Sequence, residues 1–360
     1  GLNFNVVDVK TYNKYPAGAA EVNISCNGAN DGEIDISNIT GGVLRPAPIN
    51  EYQYNWTVKS TNGGPNLGGA ALAATATGGV AILGAPFDAG SQYRSGARMG
   101  PRGIREASTL FSFGHAGAYD HEDDATYLGE DVRIVDMGDA DIIHTDTIQS
   151  HANIEKAVRA ALNAGALPVT IGGDHSINIP CINAFSDQGD FHILQIDAHL
   201  DFVNERHGVR FGHGNPMRRA AEKTYVTGLS QFGIRNVSST ARVGYEDARK
   251  MGSDILSVRQ IREMGTKKAT KRIPKGKLYV TIDIDAFCPS IAPGTGTPSH
   301  GGFLYYDVLE ILQEVSKNNE IIGIDLVEVA PAYDPSEGTA ILAAQLLLNF
   351  LGFIFHNRTS

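Results

Sequence analysis

The sequence predicts an α/β fold built on a mainly parallel β-sheet with helices on both faces. From about residue 79 onward, short apolar stretches alternate with longer amphipathic ones. The stretch HILQI at 192–196 is mostly apolar, whereas ANIEKAVRAALNAG at 152–165 has apolar residues at helical spacing and ends at a glycine. Strands that are apolar throughout are typical of parallel sheets buried on both faces.

Composition narrows the class of protein. The 360 residues are 42% hydrophobic and 19% charged, as in ordinary globular proteins. The formal net charge of −10 argues against a nucleic-acid partner and is compatible with a small cationic substrate. The three cysteines have no paired spacing, which predicts neither disulfides nor a cysteine metal site and suits a reduced, cytoplasmic setting. We found no apolar run of about 18 residues, so no membrane span is expected.

The chain is expected to have two parts. Residues 1–78 are rich in Asn, Gly, Thr and Ala and end in the linker-like stretch NGGPNLGGAALAATATGG, which predicts an irregular N-terminal arm. The only tryptophan, Trp56, lies in this arm and can dock it onto the rest of the protein. Residues 79–360 are predicted to form the catalytic α/β domain.

Predicted strands of this domain end in polar or charged residues. They lie at 78–88, 166–176, 192–201, 230–235, 277–287 and 320–331. In open parallel sheets, ligands bind beyond the carboxyl ends of the strands. The acidic residues of three predicted strands therefore collect where a ligand is expected.

Three clusters at strand ends have the composition of a metal site. The candidate ligands are His175, Asp197, His199, Asp201, Asp283 and Asp285. Within a cluster, residues two apart on extended backbone point to the same face. Carboxylates together with imidazoles suit Mn²⁺, and also Fe, Ni or Zn. Six ligands are too many for one ion with an open position but fit two ions roughly 3.5–4 Å apart with shared carboxylates.

The alternative is that each cluster is a cap or a solvated turn, as an isolated Asp-x-Asp usually is. Three clusters at neighbouring strand ends are harder to explain in this way, because unpaired carboxylates would repel one another. A divalent metal site is therefore the preferred interpretation.

The motifs GGDHS, DAHLD and DIDAF, followed by PSIAPGTGTP and VEVAPAYD, occur in this order between residue 80 and the C-terminus. They resemble the signature motifs of the ureohydrolase family, which includes arginase and agmatinase. The resemblance implies a three-layer α/β/α arginase-like fold around an eight-stranded sheet. It also implies a homo-oligomer, either a trimer or a hexamer, and two divalent ions, with Mn²⁺ expected and Ni²⁺ as the alternative.

The resemblance also assigns the ligands. One ion would be held by His175, Asp197, Asp201 and Asp283. The other would be held by Asp197, His199, Asp283 and Asp285. The expected reaction is hydrolysis of a guanidino compound to urea plus an amine or ammonia, with water activated by the two ions.

Two further residues receive roles from the same resemblance. His213 in FGHGNPM takes the place of the family's proton-shuttling histidine, the alternatives being a loop histidine without a role or a shuttle at His207. Glu328 in DLVEVAPAYD would hold the substrate guanidinium through two parallel N–H bonds, the alternative being a pair with an arginine of the protein. Asp325 is expected to support the site from behind. Cys288 replaces the acid that usually follows the second aspartate cluster.

The substrate is less well specified. APGTGTP and VEVAPAYD resemble the agmatinase branch, and TPSHGGFLYYD resembles a subgroup close to bacterial guanidine hydrolases, with guanidinobutyrate as a further alternative. An acidic stretch can line the mouth and attract a cation, or can be a solvated loop. It comprises Asp120, Glu122, Asp123 and Asp124. Other hypotheses are a single-zinc deacylase of related fold, and a catalytically silent subunit or surface-binding protein.

Overall fold

The computed structural model describes residues 76–111, 117–129, 131–238 and 240–359. The predicted arm at 1–78 therefore lies outside the described residues except for its last three, and so does Trp56. Ala76 is fully buried and packs with Ala81, Val135 and other apolar residues at one edge of the sheet.

A single eight-stranded sheet forms the centre of the described chain. Its strands are β1 (Val80–Ala85), β4 (Ile134–Asp139), β5 (Leu167–Gly172), β6 (Phe191–Ile196), β7 (Val226–Phe232), β8 (Ser253–Leu256), β9 (Lys277–Asp283) and β10 (Glu320–Val327). Their order is β4-β1-β5-β10-β9-β6-β7-β8, and every neighbouring pair is parallel. Two short strands, β2 (Ala118–Asp120) and β3 (Ala125–Tyr127), form a separate antiparallel hairpin. The predicted fold class is confirmed.

Helices cover both faces of the sheet. They are α1 (Gly100–Ser108), α2 (Thr147–Asn163), α3 (Asn178–Asn183), α4 (Pro216–Ala221), α5 (Arg242–Lys250), α6 (Val258–Met264), α7 (Thr266–Thr270), α8 (Tyr305–Asn318) and α9 (Gly338–Thr359). In β6, Leu194 and Ile196 pack in one buried cluster with α1 and α6–α9, whereas Ile193 packs in another with α2–α5. Burial of alternate side chains on opposite faces explains why β6 is apolar throughout.

Helix α9 contradicts the expectation that the chain has no apolar stretch of about 18 residues. Its segment Gly338–Asn357 has a mean hydropathy of 1.8 and is long and apolar enough to cross a membrane, although no such run was expected. Within the protein, 72% of the most apolar window of this helix is buried. Residues such as Leu346 and Phe350 belong to the main core cluster. The apolar length of α9 is accounted for by packing against α1, α8 and strand β3 of the hairpin.

Candidate active site

The predicted metal ligands all lie at the carboxyl edge of adjacent strands. His175 begins a 3-10 turn just after β5, and 197–201 follow β6 directly. Asp283 is the last residue of β9, and Asp285 lies in the 3-10 turn that follows it. Because β5, β10, β9 and β6 are parallel neighbours, their ends place these loops side by side.

Three carboxylates surround the ring of His175. Its Nδ1 lies 2.9 Å from Asp201 Oδ2, 3.1 Å from Asp197 Oδ2 and 3.4 Å from Asp283 Oδ2. The imidazole is 1% exposed, and its Nδ1 has no hydrogen-bond partner among the described residues. A buried ring nitrogen facing several carboxylates without a proper hydrogen bond is the donor arrangement of a cation site.

A second group of donors adjoins the first. His199 Nδ1 lies 3.0 Å from Asp285 Oδ2 and 3.7 Å from Asp197 Oδ1. Two sets of ligand atoms each lie within 4.8 Å of one another: His175, Asp197 and Asp201 form one, and Asp197, His199 and Asp285 form the other. Asp197 thus belongs to both, through different oxygens. This donor set fits two neighbouring divalent ions.

Charge–charge interactions within the site shift its pKa values strongly. Burial, together with the nearby Asp201 and Asp285 charges, raises the pKa of Asp197 to about 6. Asp285 raises the pKa of His199 to about 11. Burial and neighbouring carboxylates also raise the pKa of Asp283 well above its usual range. The raised carboxyl pKa values show that these buried carboxylates repel one another, and a bound divalent cation would relieve this repulsion.

Buried polar residues hold the ligands from behind. The Gln195 side chain donates from Nε2 to Asp197 Oδ2 at 2.6 Å, and Gln231 in turn donates to Gln195 Oε1 at 2.6 Å. Thr281 Oγ1 lies 2.9 Å from His175 Nε2 and donates to Asp325 Oδ1. Asp325 therefore supports His175 indirectly, through the Thr281 hydroxyl. These contacts restrict the orientation of the ligands before an ion binds.

Glu328 and His213 face the ligand cluster from another side. Glu328 Oε1 lies 3.1 Å from His213 Nδ1 and accepts a hydrogen bond from the His175 backbone N–H at 3.1 Å. Glu328 adopts a φ of 65°, which costs free energy in a residue other than glycine and is typical of functional sites. Among the described residues, its ion-pair partner is His213 and no arginine.

The partner carboxylate controls the ionisation of His213. Burial alone lowers the pKa of His213, but the hydrogen bond and charge of Glu328 outweigh it and raise that pKa to about 9. The raised pKa favours a ring that holds a proton on Nδ1 beside Glu328, while Nε2 accepts a hydrogen bond from the Gln92 backbone N–H at 3.3 Å. His207, the alternative shuttle, is exposed and does not line the same cavity.

A cavity of about 90 Å³ opens over these groups. Its inner wall contains Asp201, Asp283 and His199, and Glu328 and His213 also line it. The lining also includes Arg206, Ser238, Thr240 and Thr297, and the Thr297 hydroxyl donates to Asp285 Oδ2 at 3.1 Å. The volume suits a group of a few heavy atoms, such as a guanidinium.

The predicted acidic stretch does not line this cavity. Glu122 accepts a hydrogen bond from the Tyr306 hydroxyl at 2.9 Å, and Asp123 accepts one from Gln313 at 3.0 Å. Both donors lie on α8, so these acids join the β2–β3 hairpin to that helix. Of the two interpretations left open, the structure gives no support to an acidic mouth.

Several residues around the site were not singled out from the sequence. Gln195 and Thr281 lie on buried strands, two residues before Asp197 and Asp283, and this period-two spacing places them on the ligand face. Asp174 accepts hydrogen bonds from the backbone of Gly90 and Ser176 and thereby fixes the loop beside the cavity. Arg206 had no signal in the sequence, because a lone arginine in a polar loop is usually solvated.

Comparison with known proteins reveals extensive similarity. Residues 78–352 match the sequence profile described as the Arginase family. The chain is 34% identical over 281 residues to the human mitochondrial guanidino acid hydrolase, covering 76% of this chain and 77% of that protein. It is 32% identical over 281 residues to mitochondrial agmatinase of Gallus gallus, covering 76% and 80%. The solved structure of proclavaminate amidino hydrolase from Streptomyces clavuligerus superposes with a TM-score of 0.71 at 30% identity, covering 78% and 92%.

Proposed function

The chain belongs to the arginase family, and we propose that the cavity beside Asp197 is the active site at which this amidinohydrolase cleaves a guanidino compound to urea plus an amine or ammonia. The single observation that carries the proposal is the pair of donor groups sharing Asp197 and facing Glu328 across one small cavity. Agmatine-like compounds, small guanidines and guanidino acids such as 4-guanidinobutyrate all fit this reaction.

The proposed metal ligands are the six residues predicted from the sequence. His175, Asp197, Asp201 and Asp283 would hold one divalent ion, and Asp197, His199, Asp283 and Asp285 the other. When bound, two such ions supply a hydroxide nucleophile at neutral pH and stabilise negative charge in the transition state. We propose Mn²⁺ as the native ion because the donors are carboxylates and imidazoles, with Ni²⁺ as the alternative.

Glu328 and His213 are proposed to handle the substrate. The Glu328 carboxylate is held by the His175 backbone and would orient a planar guanidinium through paired N–H bonds. His213 would donate its proton to the departing nitrogen, which leaves as a neutral amine. Their contact of 3.1 Å keeps the proton donor beside the bound guanidinium.

We further propose that residues 79–360 form the catalytic domain, that residues 1–78 are an extension, and that the protein acts in the cytoplasm as a trimer or hexamer. Its partner is a small cationic guanidino substrate and not a nucleic acid or a membrane. The deacylase and silent-subunit hypotheses are less well supported, because a complete double set of donors serves neither purpose.

Urea release from the full chain tests the proposed function. The protein, loaded separately with Mn²⁺ and Ni²⁺, is incubated with agmatine, 4-guanidinobutyrate, arginine and free guanidine. We expect urea from at least one compound, and its loss in Asp283→Asn. Asp187→Asn is the matched control, because Asp187 is an exposed residue paired with Arg159. A protein that binds two ions per chain yet releases no urea from any compound would contradict the proposal.

A further inference from the structure

The inner cavity contains one feature that hydrolysis of a guanidinium does not require. Among the described residues that line it, Arg206 is the one lysine or arginine. The guanidinium-binding side of the cavity is instead acidic, with Asp201, Asp283 and Glu328. The two ends of a bound substrate would therefore meet groups of opposite charge.

Neighbouring residues hold Arg206 at this position. Its Nη1 donates to Gln92 Oε1 at 2.7 Å, and its backbone pairs with Val209 in a tight turn, with both N–H···O contacts at 2.9 Å. The Gln92 backbone N–H in turn donates a hydrogen bond to His213 Nε2 at 3.3 Å. A short chain of contacts thus joins Arg206 to the proposed proton donor. A cation restrained in this way loses less conformational entropy when it binds an anion.

A second, larger cavity of about 650 Å³ adjoins the first, and Arg206 lines both. Apolar side chains contribute to its wall, including Ile148, Val209 and Phe211. Arg210 also lines it and lies 3.8 Å from Glu222. An aliphatic chain leaving the inner cavity would meet Arg206 first and this partly apolar surface beyond it.

We propose that the substrate is a guanidino acid and that Arg206 binds its carboxylate while the ligand cluster and Glu328 hold its guanidinium. The proposal rests on the proposed function and narrows its substrate class. Arginine is suited to the role, since its planar fork donates two parallel hydrogen bonds to a carboxylate. Agmatine would place an ammonium near Arg206, and free guanidine would leave this arginine without a partner on the substrate.

Three compounds separate these possibilities, because they share a four-carbon chain and differ in their terminal charge. They are 4-guanidinobutyrate, agmatine and butylguanidine, which has no terminal charge. Equilibrium binding to the full-length protein is measured by titration calorimetry, and kcat and KM by urea release. Arg206→Gln removes the charge, Arg206→Lys keeps it, and Arg242→Gln removes the charge of an exposed arginine that pairs with Glu246 and lines neither cavity.

We expect wild-type protein to prefer the acid over both other compounds. In Arg206→Gln, a charge-assisted contact is lost, so kcat/KM for 4-guanidinobutyrate should fall roughly 10- to 100-fold, mainly through KM. Butylguanidine should change less than about 3-fold, since it makes no such contact. Agmatine should bind more tightly to Arg206→Gln than to wild type, because its ammonium no longer lies near a positive charge. Arg206→Lys should recover part of the loss, and Arg242→Gln should resemble wild type.

Two results would overturn the inference. One is a wild-type preference for agmatine or butylguanidine, and the other is an equal loss for all three compounds in Arg206→Gln, which would indicate a purely structural role. If no compound releases urea, the proposed function fails instead. The binding preference for the acid, and its dependence on Arg206, then still decide whether this arginine recognises a carboxylate.

Discussion

Thr281 fixes which nitrogen of His175 faces the carboxylates. Its hydroxyl hydrogen is donated to Asp325, so the Thr281 oxygen accepts a hydrogen bond from Nε2 of the histidine at 2.9 Å. A neutral His175 therefore carries its proton on Nε2 and directs an unprotonated Nδ1 towards Asp201 and Asp197. A metal ligand requires this tautomer.

Loss of the hydrogen bond between Thr281 and His175 should weaken metal binding. Thr281→Val removes the hydroxyl from a fully buried side chain with little change in shape, and should lower metal affinity about 10- to 100-fold. Metal content per chain after dialysis against graded chelator concentrations measures the effect. Thr281→Ser keeps the hydroxyl and serves as the control. Equal affinities of the Val and Ser variants would show that the contact does not orient His175.

The substitution Asp283→Asn should change stability in opposite directions in metal-free and in metal-loaded protein. Asp283→Asn removes one of several buried, mutually repelling carboxylates, while the amide oxygen can still accept the Asp285 backbone N–H. In chelator-treated protein we expect unchanged or higher stability, by about 1–3 kcal/mol. In metal-loaded protein we expect lower stability, because a ligand is lost. Thermal denaturation of wild type and Asp283→Asn, each with and without ions, measures the change in stability in both states. Destabilisation in both states would contradict the prediction.

The pH profile should report the pair of His213 and Glu328. Because the pKa of His213 is raised to about 9, the proton donor is present at neutral pH and is lost as the pH rises through that value. We expect an alkaline limb in kcat/KM, which reports the substrate-free protein, and Glu328→Gln should move this limb to lower pH, since the charge that raises the pKa of His213 is gone. His213→Ala should reduce kcat about 10²- to 10⁴-fold. A limb unmoved by Glu328→Gln would exclude His213 as its source.

Two buried histidines should make the fold sensitive to acid. Burial lowers the pKa of His151 and of His192 to about 4. The unfolded chain binds protons on these groups from about pH 6.5 downward, so their contribution to stability is complete above that pH and is lost as the pH falls towards 4. His151 packs edge-to-face on Phe87, and His151→Phe should therefore increase stability at pH 5 by about 2 kcal/mol relative to wild type.

Urea denaturation at pH 5 and pH 7 measures this difference. Substitution of the exposed His144 by Gln controls for the loss of a histidine in general. An unchanged pH dependence in His151→Phe would show that His151 does not limit stability in acid.

Thiol reactivity should differ between Cys288 and Cys181. Hydrogen bonds from Ser290 and nearby backbone N–H groups lower the pKa of the partly exposed Cys288, whereas burial raises that of Cys181. Because the thiolate is the reactive form, iodoacetamide should label Cys288 at least about 10-fold faster. Mass spectrometry of labelled peptides measures both rates in one sample. Comparable rates would contradict the assigned environments.

Local chemistry along the chain was sufficient to predict a mainly parallel sheet and the six candidate ligands, whereas the number of eight strands followed only from the family resemblance. Central strands such as β6 and β9 are apolar for most of their length and are followed by Asp and His or by Asp alone, and parallel pairing carries every such end to one edge. The edge strands β4 and β8 were not identified individually, because each is only partly buried and lacks a continuous apolar run. Helix α9 was not recognised as a long apolar element, although its packing explains its composition.

Contacts between distant parts of the chain were decided only by the tertiary structure. Gln92 meets Arg206 and His213 across more than one hundred residues, and Asp123 accepts its hydrogen bond from Gln313 on α8 across a still longer stretch of chain. Residue type and spacing determine what a strand end can ligate. The fold of the loops over the sheet edge decides which of their side chains line the same cavity. No local sequence pattern predicts that arrangement.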